Sequence, residues 1–581
     1  MGLINYIDID WPDLFKPILT SETNFFNRIR VNREVIPIIF VPGIMGSRLE
    51  VDTDSKIKTK ANVSNDKKKK KISKLVWDPD DKGFMVKHYG RIDRSAAYRK
   101  SKLIGPQFES TYLKVSEEDT EHNQKFFSMT DPWRDRRGWG GIFWSSYGGF
   151  LQELEYQKWD KPLISDNEKE DEKVKRRKEL VGKCFEFPVH AFGYNWTDTN
   201  YNAGKKLAAK ITEIIAGYQS KGRMCKYVIL VSHSMGGLVC RSACCDKIGN
   251  AESNVLGVIH GVQPATGSAA AYWRMKAGFE RPHGGPSDNA WDWLRNPKKM
   301  TQNRVEGRVG SWVLGTDGEE VTSILGNAPG GLELLPNKHY TNNANKPHWL
   351  HVPNRKGVMN SLPRNGDPYE EIYKIKDDVF WRMVNPEWLA PEGGRDSSNE
   401  HAEIDDPWGS YSDNLNKAKK FHNTLRMRPH PETYQFYSSG FETVDEIRFK
   451  RKKHTMYPYV DPETGIEFNS NVYHTTRGKY VHYLNSNDGT AENVKDVVFK
   501  VSMAMPGEYK AGGDSTVPDS SGKALKVKKT TRIGIASRSD WFEQDHQNIY
   551  KSKKAKELVY KAVRNLALKR IEDVVGPVGK K

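Results

Sequence analysis

Unbroken apolar runs and helical spacings alternate along the chain, and the stretch from Tyr227 to Cys245 lies at the centre of the pattern. Tyr227-Val228-Ile229-Leu230-Val231 has no polar interruption, as a strand buried on both faces would have. Upstream, Val35-Ile36-Pro37-Ile38-Ile39-Phe40-Val41 and residues 185–192 read as further strands. Leu207, Ile211, Ile214, Ile215 and Tyr218 recur at three- and four-residue spacing, which predicts an amphipathic helix over 201–218. Downstream, residues 255–262, 433–437 and 532–536 read as strands. Ala555, Leu558, Val559, Ala562 and Leu566 line one face of a closing helix. Strand, helix and strand in repeated succession predict an α/β fold on a mainly parallel sheet.

The alternation stops at residue 268. From there to 430 the chain is irregular and polar, yet it carries half of the 16 tryptophans. Disordered segments are poor in aromatics, so this stretch is expected to be a folded cap or lid inserted into the core, after the sixth strand of such a sheet. Most of its tryptophans are expected to pack the cap itself. The organisation that follows is a peripheral segment at 1–34, a core at 35–267 and 431–581, a cap at 268–430, and a hairpin-rich excursion at about 443–507. The run Lys67-Lys68-Lys69-Lys70-Lys71 and the charged residues 165–179 read as solvated surface.

Composition narrows the classes. The chain has 581 residues, 37% of them hydrophobic and 28% charged, and no apolar run long enough to cross a bilayer. A formal net charge of +17 favours anionic partners, either nucleic acid or an anionic membrane surface, and charge alone does not choose between these and plain solubility. The N-terminal residues have no basic segment followed by an apolar run and a cleavage site, so a cleaved secretion signal is not expected. The cysteines, Cys184, Cys225, Cys240, Cys244 and Cys245, are odd in number and match no zinc or disulfide spacing. Folding in a reducing cytoplasm is therefore expected, with no metal and no cofactor.

Candidate chemistry begins where the central strand ends. Ser232-His233-Ser234-Met235-Gly236-Gly237 places small residues on both sides of Ser234, as a sharp strand-to-helix turn requires if it is to hold a hydroxyl above the sheet edge. The pattern is S-x-S-x-G, with Ser232 where a glycine is usual. An alcohol needs a base within hydrogen-bond reach and a carboxylate to orient that base. In an α/β-hydrolase fold they follow the serine in the order acid, then histidine. Here that order is Ser234, Asp514 in the turn Gly512-Gly513-Asp514-Ser515-Thr516-Val517-Pro518, and His546 after the last strand. Asp519 and Asp545 are alternative acids, while His233 and His260 are expected to be structural. The glycine-flanked loop after residues 35–41 is positioned to supply one oxyanion-hole N–H, from Ile44, with Met235 supplying the other.

Five segments in this order carry a family resemblance: residues 41–50, Gly193-Tyr194-Asn195-Trp196, the elbow at 232–237, residues 513–518, and His546. Together they resemble the lecithin:cholesterol acyltransferase and phospholipid:diacylglycerol acyltransferase group. The resemblance covers the sheet framework and little of the insertions. It implies ester chemistry on acyl lipids, with a phospholipid membrane surface and not nucleic acid as the expected partner and with Ile44 and Met235 at the family's oxyanion-hole positions. Without a secretion signal or disulfide pattern, the chain is more similar to phospholipase effectors of the bacterial type VI secretion system. That likeness implies export to a target cell's periplasm or membrane, an inhibitory immunity protein and an adaptor of the secretion machinery. Acyl transfer to an alcohol, and a non-catalytic basic scaffold that binds membrane, are the alternative expectations.

Overall fold

The computed structural model describes residues 33–575, apart from 53–74, 90–94, 106–111, 117–136, 280–313, 392–405, 452–458, 484–496, 505–511, 536–542 and shorter breaks. The segment 1–32, the lysine run at 67–71 and Trp291, Trp293 and Trp312 lie outside the described residues.

Six strands make the central sheet: β1 (Ile38–Val41), β2 (Val189–Ala191), β3 (Val228–His233), β4 (Val255–Gly261), β5 (Thr433–Ser439) and β6 (Lys529–Gly534). Their order is β6-β5-β4-β3-β1-β2, and every neighbouring pair is parallel. All residues of β1 and β3 are buried, which explains the unbroken apolar runs at 38–41 and 228–231. Two strands anticipated as continuous are split. Glu34–Val35 pairs with Phe185–Glu186 outside the main sheet, because Pro37 and Pro188 have no N–H for a ladder bond. Their carbonyls stay in use: Ile229 N–H donates to Pro37 and Ile38 N–H to Pro188.

The helices α1 (Trp144–Glu155), α2 (Asn200–Gln219), α3 (Gly236–Cys244), α4 (Pro407–Leu425) and α5 (Lys553–Val575) include those that flank this sheet. Leu207, Ile211, Ile214 and Ile215 are the buried face of α2, as their spacing requires, and Thr199 caps it by accepting from Asn202 N–H. The chain leaves β1 toward β2 on one side, then returns through β3 toward β4 on the other. This reversal opens a crevice beyond the carboxyl ends of β1 and β3, the place where open α/β sheets bind ligands.

The long insertion follows β4, the fourth strand of this sheet in chain order. It joins the later excursion through a second six-stranded sheet. Leu350–Pro353 pairs antiparallel with Met359–Leu362 and parallel with Thr443–Arg451, which continues antiparallel to Val497–Ala504 and on to Tyr480–Tyr483 and Val472–His474. Trp273 and Trp349 are buried, and Trp381, Trp388 and Trp408 are half-buried. Among the described residues no helix is long and apolar enough to cross a membrane.

Candidate active site

Strand β3 ends at His233, and helix α3 begins at Gly236. The turn between them holds Ser234 at φ 51°, a left-handed conformation that costs a non-glycine residue about 1 kcal/mol or more. Its neighbours must be small: a Cβ on Gly236 would lie 2.4 Å from the carbonyl oxygens of both Val41 and Pro42. A Cβ on Gly43 would lie 2.8 Å from His233 Nδ1. The two loops at the crevice therefore touch backbone to backbone.

The structure brings Ser234, Asp514 and His546 together. Ser234 Oγ–H donates to His546 Nε2 at 2.8 Å, and His546 Nδ1–H donates to Asp514 Oδ2 at 2.7 Å. The other oxygen of Asp514 accepts from the N–H groups of Thr516 and Val517, and its backbone carbonyl accepts from His546 N–H at 2.8 Å. Acid and base are thus tied by backbone as well as side chain. The alternative acids are engaged elsewhere. Asp519 accepts from Ser439 Oγ–H, and Asp545 accepts from the Asn548 N–H.

Ile44 and Met235 lie on the two apposed loops. Among the described residues, no hydrogen bond engages the backbone N–H of either one. The motifs around them hold the Ile44 loop in place. Tyr194 Oη–H donates to the Pro42 carbonyl at 3.0 Å, Tyr194 N–H donates to Ser47 Oγ, and Trp77 Nε1–H donates to the Met45 carbonyl. Arg48, fully buried, pairs with Asp78 at 3.1 Å and donates to the Gly140 carbonyl.

Five further side chains brace this site, and of these Tyr147 and Tyr550 went unremarked in the sequence. Tyr147, on α1, donates its hydroxyl proton to His233 Nδ1 at 2.9 Å, and His233 Nε2–H donates to the backbone carbonyl of His546 at 2.7 Å. Burial, reinforced by the neighbouring His546, pulls His233 down to about 3, so it is a neutral donor at working pH. Ser232, which replaces the usual glycine, donates to His260 Nδ1 across β3 and β4 at 2.8 Å. Its carbonyl accepts from Tyr550 Oη–H at 2.8 Å. Strand alternation could have paired Ser232 with His260, since they are register partners. The Tyr147 contact leaves no local signal.

Among the described residues, no group of three or more His, Cys, Asp or Glu side chains is placed to hold a metal. All five cysteines are unpaired thiols.

No protein-family model matches the chain, and no curated protein matches it. Among solved structures, the lipase BlEst2 of Bacillus licheniformis in its propeptide form matches 26% of this chain and 27% of its own at 25% identity, with a TM-score of 0.14. A chain in the crystal structure of the Tle4–Tli4 complex matches 92% of this chain and 99% of its own at 23% identity, with a TM-score of 0.63. That likeness, with the parallel sheet and the elbow at its crevice, places the chain in the α/β-hydrolase fold.

Proposed function

We propose that this chain is a serine-dependent lipid ester hydrolase of the phospholipase A or lipase type, acting at phospholipid membrane surfaces through an acyl-enzyme. The observation that carries the reading is the continuous hydrogen-bond chain from Ser234 through His546 to Asp514 at the turn between β3 and α3. In this reading Ser234 Oγ attacks the ester carbonyl while His546 Nε2 takes its proton. Asp514 holds the imidazole in the tautomer with Nδ1 protonated and stabilises the imidazolium. The oxyanion forms against the N–H groups of Ile44 and Met235. His546 then returns the proton to the leaving alcohol, and water repeats the sequence to release the fatty acid.

The net charge of +17 supports work at an anionic surface. The likeness to a chain solved as the Tle4–Tli4 complex supports an inhibitory protein partner. Together with the basic charge and the large insertions, on which the likeness to secreted effectors rests, it also supports export to a target cell and an adaptor for that export. Incubation of wild type and Ser234→Ala with mixed phospholipid vesicles, followed by mass spectrometry, tests the reading. Free fatty acid and lysophospholipid are expected from wild type only. Equal release by both proteins would remove Ser234 from the mechanism, and transfer of the acyl group to an added alcohol in place of hydrolysis would make the chain an acyltransferase.

A further inference from the structure

Arg241 lies on α3, about two turns beyond the nucleophile and toward the opposite end of the sheet. It is 4% exposed and has no carboxylate partner among the described residues. Its guanidinium donates to the backbone carbonyl of Arg426, and its Nε has no hydrogen-bond partner. Burial pulls it down to about 10, which leaves it cationic at neutral pH. The ionisable side chains coupled to it are held in their neutral forms, the Cys245 thiol raised chiefly by burial and the imidazoles of His260, His339 and His422 lowered chiefly by burial. A buried charge without a counter-charge costs several kcal/mol. The C-terminus of α4 offers about half an elementary charge of compensation.

Arg426, which follows α4 at φ 53°, holds its backbone in the left-handed region with that carbonyl turned to Arg241. Its side chain lines an open concavity of about 460 Å³, with Lys247, Lys419 and Lys420 around it and Asn423 and Thr424 between them. Lys419 is already paired with Asp367 at 2.6 Å and Glu370 at 3.2 Å. No ion pair or hydrogen bond engages the side chains of Lys247, Lys420 or Arg426 among the described residues. The cluster thus combines a buried unpaired guanidinium, a strained backbone turned toward it, three unengaged surface cations, and a depression that opens to solvent.

We infer that this concavity at the foot of the elbow helix binds a phosphate-bearing anion, separately from the candidate catalytic crevice at the other end of α3. Lys247, Lys420 and Arg426 contact the anion directly, and Arg241 supports it from behind through the Arg426 backbone. Phosphate chemistry fits a group of separate ammonium and guanidinium donors with the Asn423 amide between them, the Thr424 hydroxyl being engaged with the Lys420 carbonyl. Because α3 runs from the crevice down to this site, a lipid being cleaved at Ser234 and an anion bound here occupy different ends of the sheet.

Free phosphate compounds and lipid headgroups share this chemistry, and the test separates them. Inorganic pyrophosphate is titrated calorimetrically into the full chain. In parallel, the Ser234→Ala chain is sedimented with vesicles of phosphatidylglycerol and phosphatidylcholine in equal parts, so that no lipid is consumed. Lys247→Gln/Lys420→Gln changes only exposed positions, and Lys205→Gln/Lys561→Gln is the charge-matched control. The concavity variant is expected to weaken binding by about tenfold or more, equivalent to about 1.4 kcal/mol, with the control within about twofold. A loss confined to pyrophosphate identifies a free anion, and a loss that includes the vesicles identifies a headgroup. Identical behaviour of the two double variants toward both probes, including no binding by either, overturns the inference. Unchanged hydrolysis of a soluble ester by the concavity variant would show that this result is independent of the candidate triad.

Discussion

Replacing His233 gives the sharpest test of how the base is held. His233 makes no hydrogen bond to Ser234 Oγ or to the imidazole nitrogens of His546, whose ring lies 5.2 Å from its own; it grips the His546 backbone carbonyl from a buried position, with Tyr147 fixing its tautomer. His233→Ala removes both hydrogen bonds and leaves a half-buried carbonyl and a buried tyrosine hydroxyl to find other partners. Each unsatisfied group costs about 1–3 kcal/mol. The segment bearing His546 can relieve that cost by shifting, and a displacement of about 1 Å at a reacting group costs about a hundredfold in rate. With a soluble short-chain ester, kcat is expected to fall about a hundredfold at little change in KM, since no binding contact is lost. His233→Gln keeps an N–H donor near the Nε2 position and should recover much of the rate. Tyr147→Phe keeps His233 but frees its tautomer, at a cost near one hydrogen bond, so a fall of about fivefold is expected. Because burial holds His233 near 3, the acid limb of the pH–rate profile should carry no inflection from it. A kcat for His233→Ala within about twofold of wild type, in a protein whose near-UV spectrum is native, would refute the positioning argument. So would a Gln variant no better than Ala.

Three other outcomes follow from the geometry. Asp514→Asn should lower kcat by about four orders of magnitude through loss of the required tautomer, while Asp519→Asn stays within a few-fold; stopped assays on the same ester check both. Gly236→Ala must push α3 away from the carbonyls of Val41 and Pro42, so it should cost about 1–3 kcal/mol in urea unfolding and also reduce kcat. Glu333 is fully buried, accepts from the backbone and side-chain N–H groups of Asn200, and is raised by burial to about 8. Its native form holds a proton that the unfolded chain releases near 4.5, so its stabilisation is intact below pH 4.5 and fades as pH rises toward 8. Glu333→Gln cannot titrate. Its stability relative to wild type should climb by up to about 1.4 kcal/mol per pH unit through that window and level off above it, whereas parallel unfolding curves from pH 5 to 8 would count against this account.

Much of the framework was legible in the sequence because its signals are local. Strands β1 and β3 are buried on both faces and therefore read as apolar runs, and α2 repeats its apolar residues at the helical period. Two of the three candidate catalytic side chains were legible for a related reason: Ser234 and Asp514 sit in turns whose own residues declare them, glycines at the elbow and Gly512-Gly513 before Asp514, while His546 was read from its place after the last strand. Their meeting is a long-range event, yet the chain order of a known fold supplies it. The splits at Pro37 and Pro188 were also written locally, and a stricter use of proline's missing donor finds them.

What escaped the sequence depends on contacts that no short window contains. The bond from His233 to His546 spans 313 residues, and the sheet that joins Leu350–Pro353 to Thr443–Arg451 bypasses the whole of α4 and β5. Arg241 reads as an ordinary polar residue on a helix until its burial and missing counter-charge are seen together. This division has a physical basis. The reversal of winding between β1 and β3, two parallel neighbours from which the chain departs to opposite sides, forces the loops that carry Ile44 and Ser234 into backbone contact, so glycine is required at 43 and 236 and both positions announce themselves. Side chains that brace those loops meet no such restriction. Tyr147 packs through a ring and a single hydroxyl, so its residue type alone cannot distinguish it from the many tyrosines of the core. A bracing role of this kind shows itself only once the helix that carries it has docked.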